Sequence, residues 1–317
     1  MMLFSLEPGS AFAAALAQAL GVEIAAHEER RFPDGECKLR PLVDVRGADA
    51  YVVLSLHGGP IDSPHDKLWR LLAFVATLRD HGAQRVTAVA PYLAYARKDR
   101  RTKPHDPVGL RYLAQLFEAV GTDAVIVLEA HNVAAYQNAF RIPATSLEAH
   151  RAFGPLAAGP AGGGALAVAS PDPGGVKRAQ LWREALEETL AAPVGFAMVD
   201  KRRSAGVLST HGLVAGDVAG ATVLLLDDLI GSGETMQQAA AALRGSGASA
   251  RLACAAHGLF IGRAAEVLAD EAIAQVAVTD SVAAFRVAAD APLRARLQIV
   301  SCAPLFAEAI RRRHAAG

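Results

Sequence analysis

An acidic pair at the end of an apolar run leads into a short loop rich in glycine, serine and threonine. Asp227 and Asp228 precede the loop Gly231–Thr235, which opens an amphipathic helical segment. Such a loop binds phosphate through exposed backbone N–H groups and the positive end of the helix dipole, with the Ser232 and Thr235 hydroxyls beside them. The carboxylates can accept hydrogen bonds from sugar hydroxyls. The segment predicts a sugar-phosphate site, and it matches neither a Walker A loop nor a nucleophile elbow.

Polar side chains also stand at the ends of four other apolar runs. These ends are Glu129–His131, Ser170–Asp172, Asp200–Arg203 and His257. In doubly wound α/β sheets, ligands bind outside the carboxyl ends of the strands. A strand that stops at a polar loop would account for any one of these ends, but five consecutive ones indicate a single assembled site.

The elements that must position these groups are short apolar runs that alternate with amphipathic segments. We predict strands at Ala50–Leu56, Arg85–Ala90, Ala124–Leu128, Leu166–Ala169, Gly195–Val199, Thr222–Leu226, Ala250–Ala255 and Gln275–Val278. We predict helices at Asp66–His81, Val108–Val120, Val176–Leu190 and Thr235–Leu243. This alternation predicts an α/β fold with mostly parallel sheets flanked by helices. The Gly/Pro-rich stretch Gly154–Gly164 is the best candidate for a domain boundary.

The composition excludes several classes of protein. The 317-residue chain carries 32 Lys and Arg against 32 Asp and Glu, so its formal net charge is zero, and no general attraction to nucleic acid or anionic membrane is expected. With 52% hydrophobic residues the chain is predicted to be folded. The longest uncharged run, Ala152–Pro171, has the proline and glycine content of a loop, so no membrane span is expected.

The N-terminal segment and the cysteines indicate the compartment. The first residues lack the basic start of a secretory signal, and Ser10 is predicted to cap a helix that ends near Gly21. Cys37, Cys254 and Cys302 show no paired spacing, which predicts neither a disulfide framework nor a zinc site. We therefore expect a reducing, cytoplasmic location.

Five motifs in their order and spacing resemble those of the ribose-phosphate diphosphokinases, also called phosphoribosyl pyrophosphate synthetases. DDLIGSGETM looks like the ribose-5-phosphate loop of phosphoribosyltransferase folds, and many phosphoribosyltransferases carry such a loop. The other four motifs are Arg30–Glu36 (RRFPDGE), Ala90–Arg100 (APYLAYARKDR), Ser170–Ala179 (SPDPGGVKRA) and Val199–Arg203 (VDKRR). The resemblance extends over nearly the whole chain and implies two phosphoribosyltransferase-type α/β domains. PYLAYAR and LIGSGETM look closer to the archaeal-like branch.

The resemblance implies transfer of the β,γ-diphosphoryl group of ATP to the C1 hydroxyl of ribose 5-phosphate, with release of AMP. This transfer needs an aligned acceptor and positive charge on the equatorial oxygens. Lys201 and Arg203 match the family's catalytic Lys-x-Arg and would supply that charge. Taken alone, this cluster is more typical of an ordinary basic turn.

The resemblance also implies a magnesium site, with His131 and Asp172 as the matching ligands. Magnesium prefers oxygen ligands and keeps several waters, so this thin protein shell would be completed by ATP phosphates. Glu129 stands where the family usually has aspartate, which keeps the charge on a longer side chain.

Two segments match the family's ATP contacts. The segment Phe32–Glu36 (FPDGE) matches the family's adenine-binding segment, which family members contribute from a neighbouring subunit. Its aromatic ring would stack on adenine and its carboxylates would accept hydrogen bonds from the amino group. A plain Pro-Asp-Gly turn is the alternative. Residues 98–107 would form a mobile catalytic loop, for which a solvated basic loop is the alternative. The matching residues are Phe32, Asp34, Gly35, Glu36, Arg97, Lys98, Asp99 and His131.

The ribose 5-phosphate contacts implied by the resemblance are Arg203, Asp227, Asp228, Gly231, Ser232, Gly233, Glu234 and Thr235. Gly231 stands where bacterial members usually carry Asp, and Glu234 stands where Gly is usual. A carboxylate inside a phosphate cup would repel the ligand, but in the first turn of a helix it can point outward. Arg141 and Thr145 replace acidic residues, so we expect no second metal or effector site there.

We expect residues 1–150 to form the ATP-side domain and residues 151–317 the ribose-5-phosphate domain, with the C-terminal segment packing back on the first. A homo-oligomer with shared active sites is implied, without nucleic-acid or membrane partners. Two alternatives stay open: a catalytically silent paralogue, and a phosphoribosyltransferase. The first would be expected to lose motif residues that this chain keeps, and the second leaves the N-terminal motifs unexplained.

Overall fold

The chain divides into two compact units. The computed structural model describes residues 1–158, 164–200 and 213–316. One unit comprises Met1–Glu148 with Ser301–Gly317, and the other comprises Ala149–Val300. Unit 1 is therefore discontinuous in sequence, and its division from unit 2 lies near the boundary predicted after residue 150.

Unit 1 is built around a parallel sheet. Its strands are β1 (Met2–Ser5), β2 (His27–Arg31), β3 (Cys37–Pro41), β4 (Asp49–Val53), β5 (Arg85–Ala90), β6 (Ala124–Leu128) and β7 (Ala144–Leu147). Its helices are α1 (Ala11–Leu20), α2 (Pro64–Asp80), α3 (Gly109–Ala119), α4 (Val133–Ala139) and α9 (Ala303–Ala315). The sheet has the order β1-β4-β5-β6-β7, and β2 and β3 form a separate antiparallel hairpin.

Local sequence signals account for several of these elements. β4 and β6 are buried along their whole length, as expected for parallel strands covered by helices on both faces. α1 begins where the Ser10 hydroxyl accepts a hydrogen bond from Ala13 N, and it ends at Gly21 with φ 73°. The side chains of α3 that face the core repeat at helical spacing, and they are Leu110, Leu113, Ala114 and Phe117.

The C-terminal helix α9 belongs to unit 1. Phe306 packs edge-to-face on Phe12 of α1, with ring centroids 5.2 Å apart. Near the end of α9, His314 Nδ1 lies 2.6 Å from Asp49 Oδ2 at the start of β4. Arg85 of β5 contacts the same carboxylate oxygen at 2.6 Å. Apolar and charged contacts thus join this helix to both α1 and the amino end of the sheet.

Unit 2 contains a second, larger sheet. Its strands are β8 (Leu166–Ser170), β9 (Gly195–Asp200), β10 (Leu213–Ala215), β11 (Thr222–Ile230), β12 (Ala250–Gly258), β13 (Gln275–Thr279) and β14 (Leu297–Val300). Its helices are α5 (Gly154–Ala158), α6 (Val176–Leu190), α7 (Glu234–Gly245) and α8 (Ala264–Val267). The order is β10-β9-β8-β11-β12-β13-β14, and all neighbouring pairs are parallel except β10 with β9.

The predicted α/β class with mostly parallel sheets is confirmed. The predicted bounds of β5, β6 and α6 agree with the structure, whereas the predicted end of β11 at Leu226 is wrong. β11 continues to Ile230 because its backbone stays paired with β12, with Leu229 beside His257. The acidic pair therefore lies inside a strand. Among the described residues, no helix combines the length and apolar character needed to cross a bilayer.

Candidate active site

The order of the strands reverses in unit 2 between β8 and β11. From β8 the chain continues outward to β9 on one side, and from β11 it continues to β12 and β13 on the other. The loops that follow two such strands diverge and leave a crevice at the carboxyl edge of the sheet, where α/β proteins bind ligands. In the described part of unit 1, the strands follow one another in one direction without such a reversal.

The loop after β8 holds one carboxylate at this crevice. Asp172 Oδ1 accepts hydrogen bonds from Gly174 N at 2.9 Å and from Gly175 N at 3.2 Å. The Ser170 hydroxyl donates to the Asp172 carbonyl at 2.6 Å. Both of these bonds use Oδ1, and Oδ2 of Asp172 makes no hydrogen bond to a described residue. An oxygen in this state is suited to a hard cation.

The acidic pair of β11 is unusually enclosed. Asp228 is 6% exposed, and its backbone N–H donates to Asp227 Oδ1 at 2.9 Å. Burial raises the pKa of Asp227 to about 7, and the neighbouring charge of Asp228 adds to the shift. Arg178, in the first turn of α6, opposes it from 3.7 Å. A cation or sugar hydroxyls at this site would favour the ionised form.

The loop between β11 and α7 leaves a helix N-terminus open. Gly233 occupies the cap position with φ 83°, and α7 has no side-chain cap. A Cβ on Gly233 would lie 2.9 Å from Leu268 Cγ, so both the conformation and the packing require glycine. Ser232 and Glu234 are exposed, while Thr235 is half-buried. The first N–H groups of α7 are therefore open to an anion, and Glu234 lies at the surface.

In unit 1, the segment predicted to bind adenine, Phe32–Glu36, forms the turn of the β2–β3 hairpin. Phe32 N donates to Glu36 O at 2.8 Å, and Glu36 N donates to Asp34 Oδ1 at 3.1 Å. Gly35 has φ 96°, in the left-handed region that glycine adopts readily. Phe32 is half-buried, with the Arg30 guanidinium 5.1 Å from its ring centroid. Asp34 and Glu36 are exposed at the tip.

The basic loop after β5 is organised by one carboxylate. Asp106 Oδ2 accepts from Lys98 Nζ at 2.6 Å and from the backbone N–H groups of Thr102 and Lys103 at 3.0 Å each. The hydrogen bond from Lys98, followed by those from Thr102 and Lys103, holds the pKa of Asp106 far below the ordinary carboxyl range. Lys98 is thus engaged inside its own loop, whereas Arg97 is exposed. The mobility predicted for this loop stays a prediction.

Asn132 was missed by sequence reasoning. It follows His131, which is exposed after β6, and its Nδ2 donates to Asp99 Oδ2 at 2.7 Å. Its Oδ1 accepts from Ala135 N at 3.1 Å and caps α4. The Asn132 side chain therefore links the loop after β6 to the loop after β5, both of which are predicted to contact ATP. The cap position before α4 was the only local signal for this residue.

Three further residues singled out in the sequence are Lys201, Arg203 and His257. Lys201 and Arg203 lie outside the described residues. His257 is 3% exposed, and its Nδ1 lies 2.8 Å from Ser281 Oγ in a buried polar network of unit 2. Within the described ranges, no cluster of three or more His, Cys, Asp or Glu side chains could hold a metal ion.

Comparisons with known proteins give a consistent result. Residues 1–121 match the N-terminal domain of ribose phosphate pyrophosphokinase, and residues 208–317 match the phosphoribosyl synthetase-associated domain. The chain is 34% identical to the ribose-phosphate pyrophosphokinase of Caldanaerobacter subterraneus, over 99% of this chain and 95% of that protein. It is also 34% identical to the ribose-phosphate pyrophosphokinase of Granulibacter bethesdensis, over 98% of this chain and 96% of that protein.

A solved structure is similar over the full length. The crystal structure of phosphoribosylpyrophosphate synthetase from Mycobacterium smegmatis matches with a TM-score of 0.86 and 30% identity, over 100% of this chain and 99% of that one. These relatives are bacterial, and the resemblance to the archaeal-like branch stays a prediction.

Proposed function

The chain belongs to the ribose-phosphate pyrophosphokinase family, and from that premise we propose that it transfers the diphosphoryl group of ATP to the C1 hydroxyl of ribose 5-phosphate. The products are phosphoribosyl pyrophosphate and AMP. The bond formed joins the C1 oxygen to the β-phosphorus, the bond broken joins the α,β-bridging oxygen to that phosphorus, and the hydroxyl proton is released.

The strand-order reversal of unit 2 is the observation that carries this proposal. Asp227 and Asp228 lie on one side of the crevice together with the uncapped N-terminus of α7. Sugar hydroxyls would donate to the carboxylates, and the 5-phosphate would accept from the N–H groups of the loop Gly231–Thr235. A phosphate bound at the helix and a ribose bound at the acids would orient the C1 hydroxyl before ATP arrives.

Unit 1 supplies the proposed ATP contacts. Adenine would stack on Phe32 and donate its amino hydrogens to Asp34 or Glu36. Arg97 and Lys98 would pair with the triphosphate, which requires Lys98 to exchange Asp106 for phosphate oxygen. We further propose that the hairpin serves the active site of a neighbouring subunit, so that the working form is a homo-oligomer. Its location is proposed to be cytoplasmic, which the scattered positions of the three cysteines in the sequence support.

We propose magnesium as the cofactor, with Asp172 and His131 as its protein ligands. Asp172 offers a carboxylate oxygen that makes no bond to a described residue, and His131 offers an exposed imidazole. So small a protein shell suits a cation that keeps waters and takes phosphate oxygens from its substrate. When bound, the ion would neutralise charge on the phosphates. Lys201 and Arg203 are proposed to add positive charge at the equatorial oxygens of the transferred group.

The test is an assay of the purified protein with Mg²⁺, ATP and ribose 5-phosphate. We expect AMP and phosphoribosyl pyrophosphate in equal amounts, with neither product when ribose 5-phosphate is omitted. A folded protein that releases no ribose-dependent AMP would instead be the silent paralogue. Consumption of added phosphoribosyl pyrophosphate with a nucleobase, without AMP formation from ATP, would make it a phosphoribosyltransferase.

A further inference from the structure

A closed ring of four charged side chains joins the β2–β3 hairpin to the start of α2. Arg70 of α2 donates to Glu29 Oε2 at 2.5 Å and to Asp62 Oδ2 at 2.8 Å. Arg31 donates to both Asp62 oxygens, at 2.7 and 2.9 Å, and its Nε lies 3.4 Å from Glu29 Oε1. Each cation therefore contacts both acids, and Arg31 is the residue directly before Phe32.

The ring is anchored to the main sheet through its most buried member. Arg70 is 5% exposed, and its Nη2 also donates to the Leu6 carbonyl at 2.5 Å, just beyond the end of β1. The side chains of Glu29 and Asp62 are only 15% and 11% exposed. One guanidinium thus contacts the hairpin, the loop before α2 and the sheet. Because its donors form a rigid planar fork, it constrains direction as well as distance.

Stability alone does not account for this arrangement. Glu29 Oε1 and Arg70 Nε are buried without a hydrogen-bond partner in the described structure. Burying several charges with incomplete hydrogen bonding often stabilises a fold no more than apolar side chains of similar size. The same face of the hairpin already has apolar contacts, since Leu39 is 6% exposed and the His27 ring lies 5.5 Å from Phe74.

The hairpin needs an external constraint to hold its tip in one place. It forms a two-stranded sheet apart from the parallel sheet of unit 1, so no strand pairing fixes its orientation relative to that sheet. Apolar contacts are non-directional, so they hold the hairpin against α2 without fixing its tilt. Arg31, the ring member nearest the hairpin turn, directly precedes Phe32. The directional ion pairs of the ring therefore fix the tilt that the apolar contacts leave open.

We propose that Arg70 is a positioning residue for the adenine site, because it fixes the orientation of the hairpin turn that carries Phe32, Asp34 and Glu36. This inference rests on the proposed function, in which that turn binds the adenine of ATP. Arg70 itself does not touch the nucleotide. Loss of the ring is expected to weaken ATP binding without changing the transfer step on ATP that is already bound.

The decisive variant is the double substitution Glu29→Met with Arg70→Met. It removes one charge of each sign, leaves the Arg31–Asp62 pair intact and fills the space with flexible apolar side chains. We expect KM for ATP to rise at least about tenfold. Turnover at saturating ATP and KM for ribose 5-phosphate are expected to stay close to those of the wild type, whereas Tm is expected to fall because the buried Leu6 carbonyl loses its donor.

A matched control lies on the same helix. Arg79 of α2 pairs with Asp123 at 3.2 Å, with both side chains about one-third exposed. Arg79→Met is expected to leave KM for ATP unchanged. Arg70→Lys keeps the charge but loses the fork, so it is expected to fall between the wild type and the double variant.

Calorimetric titration with ATP and gel filtration of each variant complete the test. The inference is overturned if the double variant keeps wild-type ATP affinity, whatever happens to Tm. It is also overturned if the variant loses its oligomeric state while ATP affinity per assembled site is unchanged. Failure of the proposed function gives a different result, because wild-type protein would then form no ribose-dependent AMP.

Discussion

Arg178 Nη1 lies 3.7 Å from Asp227 Oδ1 and joins the first turn of α6 to the acidic pair of β11. This approach passes over Gly175, where a Cβ would lie 3.5 Å from Arg178 Nη1 and 2.7 Å from Ser170 Oγ. The glycine thus makes room for the Ser170 hydroxyl, whereas the arginine lies at an ordinary contact distance. The arginine is a nearby positive charge opposing the raised pKa of Asp227.

Asp227→Asn is expected to stabilise the protein while impairing substrate binding. Since burial raises the pKa of Asp227 to about 7, the unfolded chain ionises this group at lower pH than the folded chain does. Stability is therefore lost as pH rises from the ordinary carboxyl range to about 7. We expect the variant to gain at least about 2 °C in Tm at pH 8, with a smaller gain at pH 5, and to show a higher KM for ribose 5-phosphate.

The control for this prediction is Asp290→Asn, which changes an exposed carboxylate in the same unit. It is expected to leave both Tm values and KM unchanged. Equal gains for Asp227→Asn at pH 5 and pH 8 would contradict the raised pKa.

Gly233→Ala is expected to damage the phosphate loop. The substitution forces a side chain into φ 83° and places its Cβ 2.9 Å from Leu268 Cγ. The backbone strain costs about 1–2 kcal/mol, and the overpacking adds about 1–3 kcal/mol. Thermal unfolding should reveal the loss of stability, and KM for ribose 5-phosphate should rise.

Gly220→Ala is the matched control, because Gly220 has φ 70° but faces open space. It should show only the backbone cost of about 1–2 kcal/mol and no change in KM. If both variants had the same KM for ribose 5-phosphate, the loop Gly231–Thr235 would not be part of the phosphate-binding site.

Asp106→Ala is expected to open the basic loop. Its carboxylate accepts the bonds from Lys98, Thr102 and Lys103 that fold the loop on itself. Without them, the loop opens more often and trypsin should cut between residues 98 and 103 several times faster than in the wild type. Limited proteolysis followed by mass spectrometry measures this rate.

Asp44→Ala removes an exposed ion pair with Arg46 elsewhere in unit 1, so it is expected to leave that cleavage rate unchanged. An Asp106→Ala loop as resistant as the wild type would mean that other contacts hold it.

Two inactive variants are expected to restore each other if active sites are shared. Lys201→Ala should lower turnover far more than ATP binding if, as proposed, its charge acts mainly on the transition state. Phe32→Ala should lose ATP affinity instead. When the two chains are refolded together at equal amounts, about a quarter of the sites combine an intact hairpin with an intact Lys201. Activity of the mixture no higher than that of its components would indicate sites built within one chain.

Local signals predicted the elements whose ends are marked in the sequence by capping residues or polar turns. Ser10 and Gly21 mark both ends of α1, and the apolar residues of β5 and β6 stand between polar turns. By contrast, β2 reads His-Glu-Glu-Arg-Arg, and five polar residues in succession give no strand pattern. Its structure depends on cross-strand pairing with β3.

The candidate site was predictable where one segment carries the chemistry. The spacing of the acidic pair and of the glycine loop that follows it was enough to predict a sugar-phosphate site, and the structure places both at the carboxyl edge of the sheet of unit 2. The ring around Arg70 could not, since Glu29 lies 41 positions before it in the chain. The bond from Asn132 to Asp99 likewise joins residues 33 positions apart. Such contacts depend on how elements that are distant in the chain pack together, which local patterns do not encode.

The placement of α9 sets an order for biosynthesis. A ribosome releases residues 149–300 as one continuous stretch, which can fold as soon as it emerges. Phe12 and Leu16 of α1, by contrast, are synthesised almost 300 residues before Phe306, the partner of Phe12. The first unit to be translated is thus the last to be completed, and in the interval its uncovered apolar surface is a natural target for chaperones.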